Sequence, residues 1–378
     1  MKRRLRIGRV LFAFGLPSML LAVPSDQAAP QSTSGFVAAE VETASETFWT
    51  PHRLMNAAPV ELSPPAGFAP APLAAAPPAL RKSEGGPGNP PTVWMPPQPD
   101  DLVHAPLDLG SLPPSDVVRD LSLGGGVFTE SRVIPPNTGQ QAPAVDAYPY
   151  SAVGKLFFFN PRTGQDLFCS AATNGPRVIV TAAQCVTQGS RGCTLRQCSY
   201  KNFLFIPAFD NGRAPFGKWS SSGFLVVSNA WLLSGVLPNP HDFAMIEAAD
   251  QGGKTLGSVV GWLGWQTFRL PFNHFTTLGY PCNLDGCMLM QRNDAQTSGF
   301  GGVNTWVQGS DMGLGSGGGP WVQDLGLNPK GAPPVPFGGN LIVGVTSYLA
   351  PGSIGASQFD QLFQRMFSFL CRHQRGNC

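Results

Sequence analysis

The sequence predicts an all-β domain over residues 146–378, ended by a helix and preceded by a disordered region rich in Pro and Ala. First, from about Ala147 short runs rich in Val, Ile and Phe, such as RVIVTAA and LIVGVTSYL, alternate with Gly, Pro and Asn. This pattern is typical of an antiparallel sandwich or barrel. Second, no helical period of useful length interrupts these runs before the end of the chain. Third, all eight cysteines follow residue 168 and so belong to this half.

The N-terminus has the pattern of a secretory signal peptide over residues 1–28. The basic leader MKRRLRIGR is followed by the short apolar run VLFAFGLPSMLLAV and then by the small and polar stretch PSDQAAP. The apolar run is too short to span a bilayer but fits the core of a signal peptide. Cleavage is expected between Ala22 and Ala29, which leaves no membrane span and places the protein outside the cytoplasm, secreted or periplasmic. An uncleaved membrane anchor is the alternative.

Residues 29–145 are interpreted as a disordered linker or a pro-region. Segments such as PPAGFAPAPLAAAPPAL keep neither a helical nor a strand period. Proline removes amide donors and fixes the backbone, so this composition favours an extended chain without a core of its own. A few apolar segments, among them FWTPHRLM and VWMPP, are candidates for docking on the domain or on a partner.

The C-terminal helix is predicted over about residues 357–371. Ser357 is its candidate cap. Its apolar residues recur at three- and four-residue spacings and comprise Phe359, Leu362, Phe363, Met366 and Leu370.

The cysteines fall into four sequential couples, which favours four disulfides in an exported protein. Eight cysteines allow 105 pairings, and the sequence alone does not choose among them. Nearest-neighbour pairing is the simplest, because each couple closes a short loop. Zinc binding is the rival interpretation, but CTLRQC and CNLDGC are not CxxC pairs. The predicted couples are Cys169 with Cys185, Cys193 with Cys198, Cys282 with Cys287, and Cys371 with Cys378.

Three segments in order carry the chemistry: VIVTAAQCV at 178–186, HDFAMI at 241–246 and GSDMGLGSGGGPWV at 309–322. Their order and spacing resemble the chymotrypsin-like serine proteases, especially the bacterial glutamyl-endopeptidase-like branch. The segments YPYSAVGKLFF, GYPCNLDG and VGVTSY are also similar to that branch. The resemblance covers about residues 132–371. It implies two antiparallel β-barrels, over about residues 146–255 and 256–355.

Two of the three catalytic residues of that family are replaced. Active members use a histidine base, an aspartate that orients it and a serine nucleophile. Aligned on the flanking residues, the base position is Gln184 and the nucleophile position is Gly317, while Asp242 is retained. Glutamine does not accept a proton near neutral pH, and glycine has no side chain to form an acyl-enzyme. The sequence therefore predicts an inactive homologue.

The resemblance also implies which residues bind. Gly315 and Gly317 match the positions whose backbone amides form the oxyanion hole. Ser347 and Tyr348 match the strand edge that pairs with a substrate backbone. Asp311 matches the base of the primary specificity pocket, and a solvated turn residue is the equally supported alternative.

Ser316 and His241 are the two candidates to replace the missing nucleophile and base. Ser316 stands one position before the nucleophile position, so its side chain is expected to point in a different direction. His241 adjoins Asp242, but neighbours on an extended segment point to opposite sides. A structural role is expected for His241, and nothing ties His274 to the cleft.

The first functional hypothesis is therefore a secreted pseudoprotease that binds a peptide or protein without cleaving it. The alternatives are an active endopeptidase with Ser316 as nucleophile, and a structural or surface-spacing protein that works through its Pro/Ala-rich segment. A net charge of +2 argues against a nucleic-acid partner. Nothing in the sequence indicates a cofactor.

Overall fold

The computed structural model of the chain describes residues 32–33, 35–44, 47–73, 81–95, 126–133, 145–327 and 337–378. The predicted signal peptide and its cleavage region lie outside these residues. No helix within the described ranges has the length and apolar character needed to cross a membrane.

Short strands and a helix come before the main domain. Helix α1 spans Pro51–Asn56, and the Thr50 side chain caps it by accepting a hydrogen bond from the Arg53 amide. The strands are β1 (Ser32–Thr33), β2 (Phe36–Glu40), β3 (Ala58–Pro59), β4 (Ala71–Pro72), β5 (Gly85–Gly86) and β6 (Phe128–Arg132).

The first barrel is closed and antiparallel. Its strands pair in the order β11-β10-β7-β8-β9-β12, and β12 returns to β11. Because both ends of the ring pair, the barrel has no free edge of its own. The six strands are β7 (Val153–Asn160), β8 (Gln165–Thr173), β9 (Val178–Thr181), β10 (Lys201–Pro207), β11 (Trp219–Ser228) and β12 (Ala244–Ala248).

The second barrel repeats this arrangement. Its strands pair in the order β17-β14-β15-β16-β19-β18, and β17 closes onto β18. A further strand, β13 (Gly264–Gln266), pairs in parallel with β18. The barrel strands are β14 (His274–Gly279), β15 (Gln291–Gly302), β16 (Thr305–Gly309), β17 (Pro320–Gln323), β18 (Leu341–Ala350) and β19 (Ser353–Gln358). The predicted fold class of two antiparallel barrels is confirmed.

The C-terminal helix, α5, spans Gln361–His373 and begins four residues later than predicted. Ser357 belongs to β19 and is not the cap. Asp360 caps the helix instead, and its carboxylate accepts hydrogen bonds from the amides of Leu362 and Phe363. The predicted apolar face is correct, since Leu362, Phe363, Met366 and Leu370 are buried.

The remaining helices are short connections between strands. They are α2 (Leu195–Cys198), α3 (Asn229–Leu232) and α4 (Leu256–Val260), with 3₁₀ turns at Tyr150–Ala152, Ala183–Cys185 and Asp285–Cys287.

The described parts of residues 29–145 lie on the barrels, so the predicted disordered linker is corrected in these parts. Strand β2 pairs with β11, β3 with β8, β5 with β13, and both β4 and β6 with β15. Arg53 and Arg132 form ion pairs with Asp166 and Asp285. The Pro-rich composition predicts an extended chain. What it does not reveal is that strand edges and surfaces elsewhere supply the missing partners.

The four predicted disulfides all form, each between sequence neighbours. The bonds join Cys169 to Cys185, Cys193 to Cys198, Cys282 to Cys287 and Cys371 to Cys378. The Cys169–Cys185 bond ties β8 to the turn that carries Gln184.

Lys155, in β7, is buried in the core. The Lys155 ammonium lies over three aromatic rings, 4.0 Å from the centroid of Phe168 and 4.6 Å from that of Phe209, and it donates to the Cys287 carbonyl oxygen. Burial lowers the pKa of Lys155 to about 7.

This burial predicts a pH-dependent stability. Since the unfolded chain binds the proton more tightly, the free energy of unfolding is expected to rise between about pH 7 and the ordinary lysine pKa of 10.5. Lys155→Met keeps the aliphatic length and should remove this rise, which is expected to be on the order of 2–4 kcal/mol. Urea unfolding of both proteins from about pH 6.5 to about pH 9.5 measures it, and parallel curves would contradict the prediction.

Candidate functional site

The residues of the three motifs converge between the two barrels. Gln184 lies in the 3₁₀ turn after β9, and Asp242 directly precedes β12, both in the first barrel. Gly317 lies in the loop between β16 and β17, and Ser347 lies in β18, both in the second barrel. Side chains from both barrels thus meet in one cluster, as the resemblance implied.

Asp242 is the centre of that cluster and is fully buried. Its Oδ1 accepts a hydrogen bond from the backbone amide of Gln184 at 2.9 Å. Its Oδ2 accepts from the side-chain Nε2 of Gln184 at 2.9 Å and from Ser347 Oγ at 2.6 Å. The Ala183 backbone amide donates to the carboxyl group as well. Burial nevertheless raises the pKa of Asp242 to about 7, because desolvation outweighs these donors.

Gln184 fills the base position as a bridging donor. Its Nε2 donates to Asp242 and to the Ser347 carbonyl oxygen, so both N–H bonds of the side-chain amide are used. An amide donates a hydrogen bond to the aspartate as an imidazole does, but it does not take up a proton. The position therefore keeps the link between the barrels without general-base chemistry.

Residues 313–319, named here the glycine loop, have a backbone conformation that only glycine can adopt at some positions. Gly315 and Gly318 have φ of 98° and 78°, in the left-handed region that favours glycine. A Cβ at Gly318 would lie 2.4 Å from the Ser170 carbonyl oxygen. Within the described part of the chain, the amides of Gly315 and Gly317 donate to no other residue. These are the two amides that the resemblance assigns to an oxyanion hole, and that role stays a prediction.

Ser316 contacts its own loop and β14. It is fully buried, its Oγ donates to the Gly313 carbonyl oxygen at 2.7 Å, and its Cα and Cβ pack beside Gly279 of β14. Its hydroxyl hydrogen therefore already has an acceptor on its own loop. This geometry argues against Ser316 as a substitute nucleophile.

The predicted substrate edge on β18 is occupied by the chain itself. The Leu349 amide, next to Tyr348, donates to the Leu62 carbonyl oxygen at 3.0 Å. The Tyr348 ring is buried and packs closely against Gly355. Phe68 packs edge-on against the same ring, with centroids 5.5 Å apart.

Leu62 is the site residue that sequence reasoning missed. Its side chain is fully buried, although it lies in the Pro-rich region. A Cβ built on Gly317 would lie 2.6 Å from Leu62 Cδ2, so this side chain fills the space beside the nucleophile position. A single leucine among prolines forms no helical or strand period. The only indication in the sequence that Leu62 could be buried is the apolar character of VEL.

Asp311 contacts another part of the N-terminal region. Its amide donates to Glu130 Oε2 at 3.2 Å, and its carbonyl oxygen accepts from Asn283 Nδ2 at 2.7 Å. Glu130 belongs to β6, which lies beside β15. The role of Asp311 in a specificity pocket stays a prediction.

The histidines near the site are structural or exposed. His241 Nε2 lies 2.8 Å from Asp360 Oδ2 and so joins the Asp242 loop to the start of α5. His274 is exposed at the start of β14. Within the described ranges, no group of three His, Cys, Asp or Glu side chains is placed to hold a metal ion.

Comparison with known proteins gives structural neighbours only, since no protein-family model and no curated sequence matches the chain. Protease Anisep from Arthrobacter nicotinovorans is 23% identical, with a TM-score of 0.46 over 58% of this chain and 94% of its own. The thermostable serine protease AL20, from an extremophilic microorganism, is 24% identical, with a TM-score of 0.49 over 59% of this chain and 98% of its own. A Glu endopeptidase solved in complex with MPD is 16% identical, with a TM-score of 0.47 over 67% of this chain and 99% of its own.

The fold is established by the chain's own architecture. Two closed six-stranded antiparallel barrels are followed by a C-terminal helix, and the three motifs meet between them. The chain therefore has the double-barrel fold that its resemblance to the chymotrypsin-like serine proteases implied.

Proposed function

We propose that this protein is an extracytoplasmic pseudoprotease, which binds a peptide or protein segment between its barrels without cleaving it. One observation carries the proposal. Gln184 uses both side-chain N–H bonds to hold Asp242 and the Ser347 carbonyl oxygen, while the nucleophile position has no side chain. The position of the histidine base and the position of the serine nucleophile thus carry neither group, yet the hydrogen bonds of the cluster still link the two barrels.

The binding half of the proposal is supported by backbone groups. The Leu349 amide of β18 pairs with an extended segment of this same chain at Leu62, and the amides of Gly315 and Gly317 donate to no other described residue. Such groups recognise a main chain without reference to its side chains, as in β-augmentation. The four disulfides support an oxidising, extracytoplasmic location.

The test compares the native protein with a restored one. Gln184→His with Gly317→Ser returns the missing base and nucleophile, but a side chain at 317 meets Leu62. We therefore expect the pair to stay weakly active and a third change, Leu62→Ala, to raise activity further. The native protein should neither cleave a mixed peptide library nor react with a fluorophosphonate probe. Restoring a triad of this kind is worth up to about six orders of magnitude in turnover.

The control is the Ser316→Ala variant, which has no other substitution. Fluorophosphonate labelling of the native chain that disappears in this control would establish the alternative, an active enzyme with Ser316 as nucleophile. Hydrolysis by the native chain at any site would also overturn the proposal of a pseudoprotease.

A further inference from the structure

Residues 58–72, named here the cleft segment, cross from one barrel to the other past the candidate site. The segment starts as β3, parallel to Leu167–Phe168 of β8, where the Val60 amide donates to the Phe168 carbonyl oxygen at 3.3 Å. It ends as β4, antiparallel to Gly299–Phe300 of β15. Between these ends it passes the glycine loop and β18. The cleft segment is therefore hydrogen-bonded to both barrels.

The middle of the cleft segment has the side-chain alternation of a bound extended peptide. Val60 is half-buried and Leu62 fully buried, whereas Glu61 and Ser63 are exposed. Alternate side chains of an extended chain point to opposite sides, so one side faces the protein and the other faces water. The Leu62 carbonyl oxygen accepts from the Leu349 amide at the same point. Main-chain pairing combined with a buried alternate side chain is how strand-like ligands are held.

Leu62 and Gly317 fit each other. The Leu62 side chain is buried in the space where a side chain at position 317 would begin, with Cδ2 only 2.6 Å from an ideal Cβ. A residue larger than glycine at 317 would push Leu62 out or be displaced by it. The replacement that removes the nucleophile thus also provides room for an aliphatic side chain.

We propose that the cleft segment is the resident ligand of this site, and that the site recognises an extended peptide with an aliphatic side chain opposite Gly317. An outside peptide of this kind binds only after the resident segment is displaced. The proposal refines the binding role proposed above and rests on it for the outside peptide. A tethered ligand acts at an effective concentration on the order of millimolar, so a free copy at micromolar concentration does not compete.

The experiment uses the full chain with Leu62→Asp. A buried, unpaired carboxylate is costly, so this change expels the middle of the cleft segment. The matched control is Ala66→Asp, which adds the same charge at an exposed position of the same segment. The probe is a fluorescein-labelled synthetic peptide with the sequence of residues 56–73, followed by anisotropy. Hydrogen exchange at the Leu349 amide reports occupancy of the cleft independently of any catalysis.

Expected results differ between the two variants. Leu62→Asp should bind the peptide, and its Leu349 amide should exchange at least about tenfold faster, since its acceptor is lost. Wild type and Ala66→Asp should show no binding up to about 100 µM, because the tethered copy competes. A peptide in which the same leucine is aspartate should bind none of the three proteins.

Several results would overturn the proposal. Equal peptide binding by wild type and Leu62→Asp would show that the segment does not block the site. Unchanged Leu349 exchange in Leu62→Asp would show that the segment is not held there by Leu62. Faster exchange without peptide binding would refute the proposed ligand class. If Leu62→Asp lacks the near-UV circular dichroism of wild type, the variant has lost its tertiary packing. Leu62→Ala is then used in its place, and the same peptide-binding and exchange results decide the outcome. Failure of the pseudoprotease proposal would instead appear as fluorophosphonate labelling of the native chain.

Discussion

Asp242→Ala is expected to lower the free energy of unfolding by about 3–5 kcal/mol, although no histidine stands at position 184 for the carboxyl group to orient. The substitution leaves buried donors on Gln184, Ser347 and the Ala183 amide without their acceptor. It also removes one of the links between the first barrel and β18 of the second, the hydrogen bond from Ser347 Oγ. Urea unfolding of the disulfide-intact protein measures the loss.

Asp250→Ala is the matched control for that result. Asp250 accepts hydrogen bonds from a cationic side chain, Arg177, whereas Asp242 accepts only from neutral donors, and the Asp250 side chain is 39% exposed. An exposed pair contributes about 0–1 kcal/mol, so little change is expected. Equal losses in both variants would show that Asp242 does not organise the cluster.

The Asp242 effect should also depend on pH. Burial raises its pKa from 3.8 to about 7, so the folded protein holds the proton more tightly than the unfolded chain. The contribution of the wild-type carboxyl group to stability is therefore full at low pH and falls as the pH rises from about 4 to about 7. The loss caused by Asp242→Ala should be larger at about pH 5 than at about pH 8.

Gly318→Ala is expected to cost about 3–5 kcal/mol, from a strained backbone and a steric collision together. The residue has φ of 78°, and an added Cβ would lie 2.4 Å from the Ser170 carbonyl oxygen. Ser170 belongs to β8, and the backbone of this strand cannot move aside without disrupting the strand pairing of the first barrel. Thermal and urea unfolding measure the loss.

Gly317→Ala is the matched control in the same loop. Its φ lies outside the left-handed region, and the nearest atom to an added Cβ is the flexible end of Leu62. The cost should be about 1–2 kcal/mol and should largely disappear in a Leu62→Ala background. If Gly318→Ala cost no more than Gly317→Ala, the loop would not be held as the structure describes.

The sequence predicted the double barrel because several motifs agreed in order and spacing. VIVTAAQCV and GSGGGPWV kept the turns and glycines that the barrels need, so Gln184, Asp242 and Gly317 were identified from their neighbours. Nearest-neighbour pairing of the cysteines was also correct. The helix was found from its apolar period, but its start was placed at Ser357, since the sequence does not show that β19 continues to Gln358.

The sequence by itself determined which residues occupy the base and nucleophile positions, because a side chain that is absent from a position is absent there in every conformation. Glutamine at 184 and glycine at 317 provide no base and no nucleophile, whatever surrounds them. Only the tertiary structure decided what fills the site instead. Leu62 lies 255 positions before Gly317, and nothing local to VELSPP specifies burial. Its place depends on the Leu349 amide, on the edge of β8 and on the space above Gly317, which exist only once both barrels have closed.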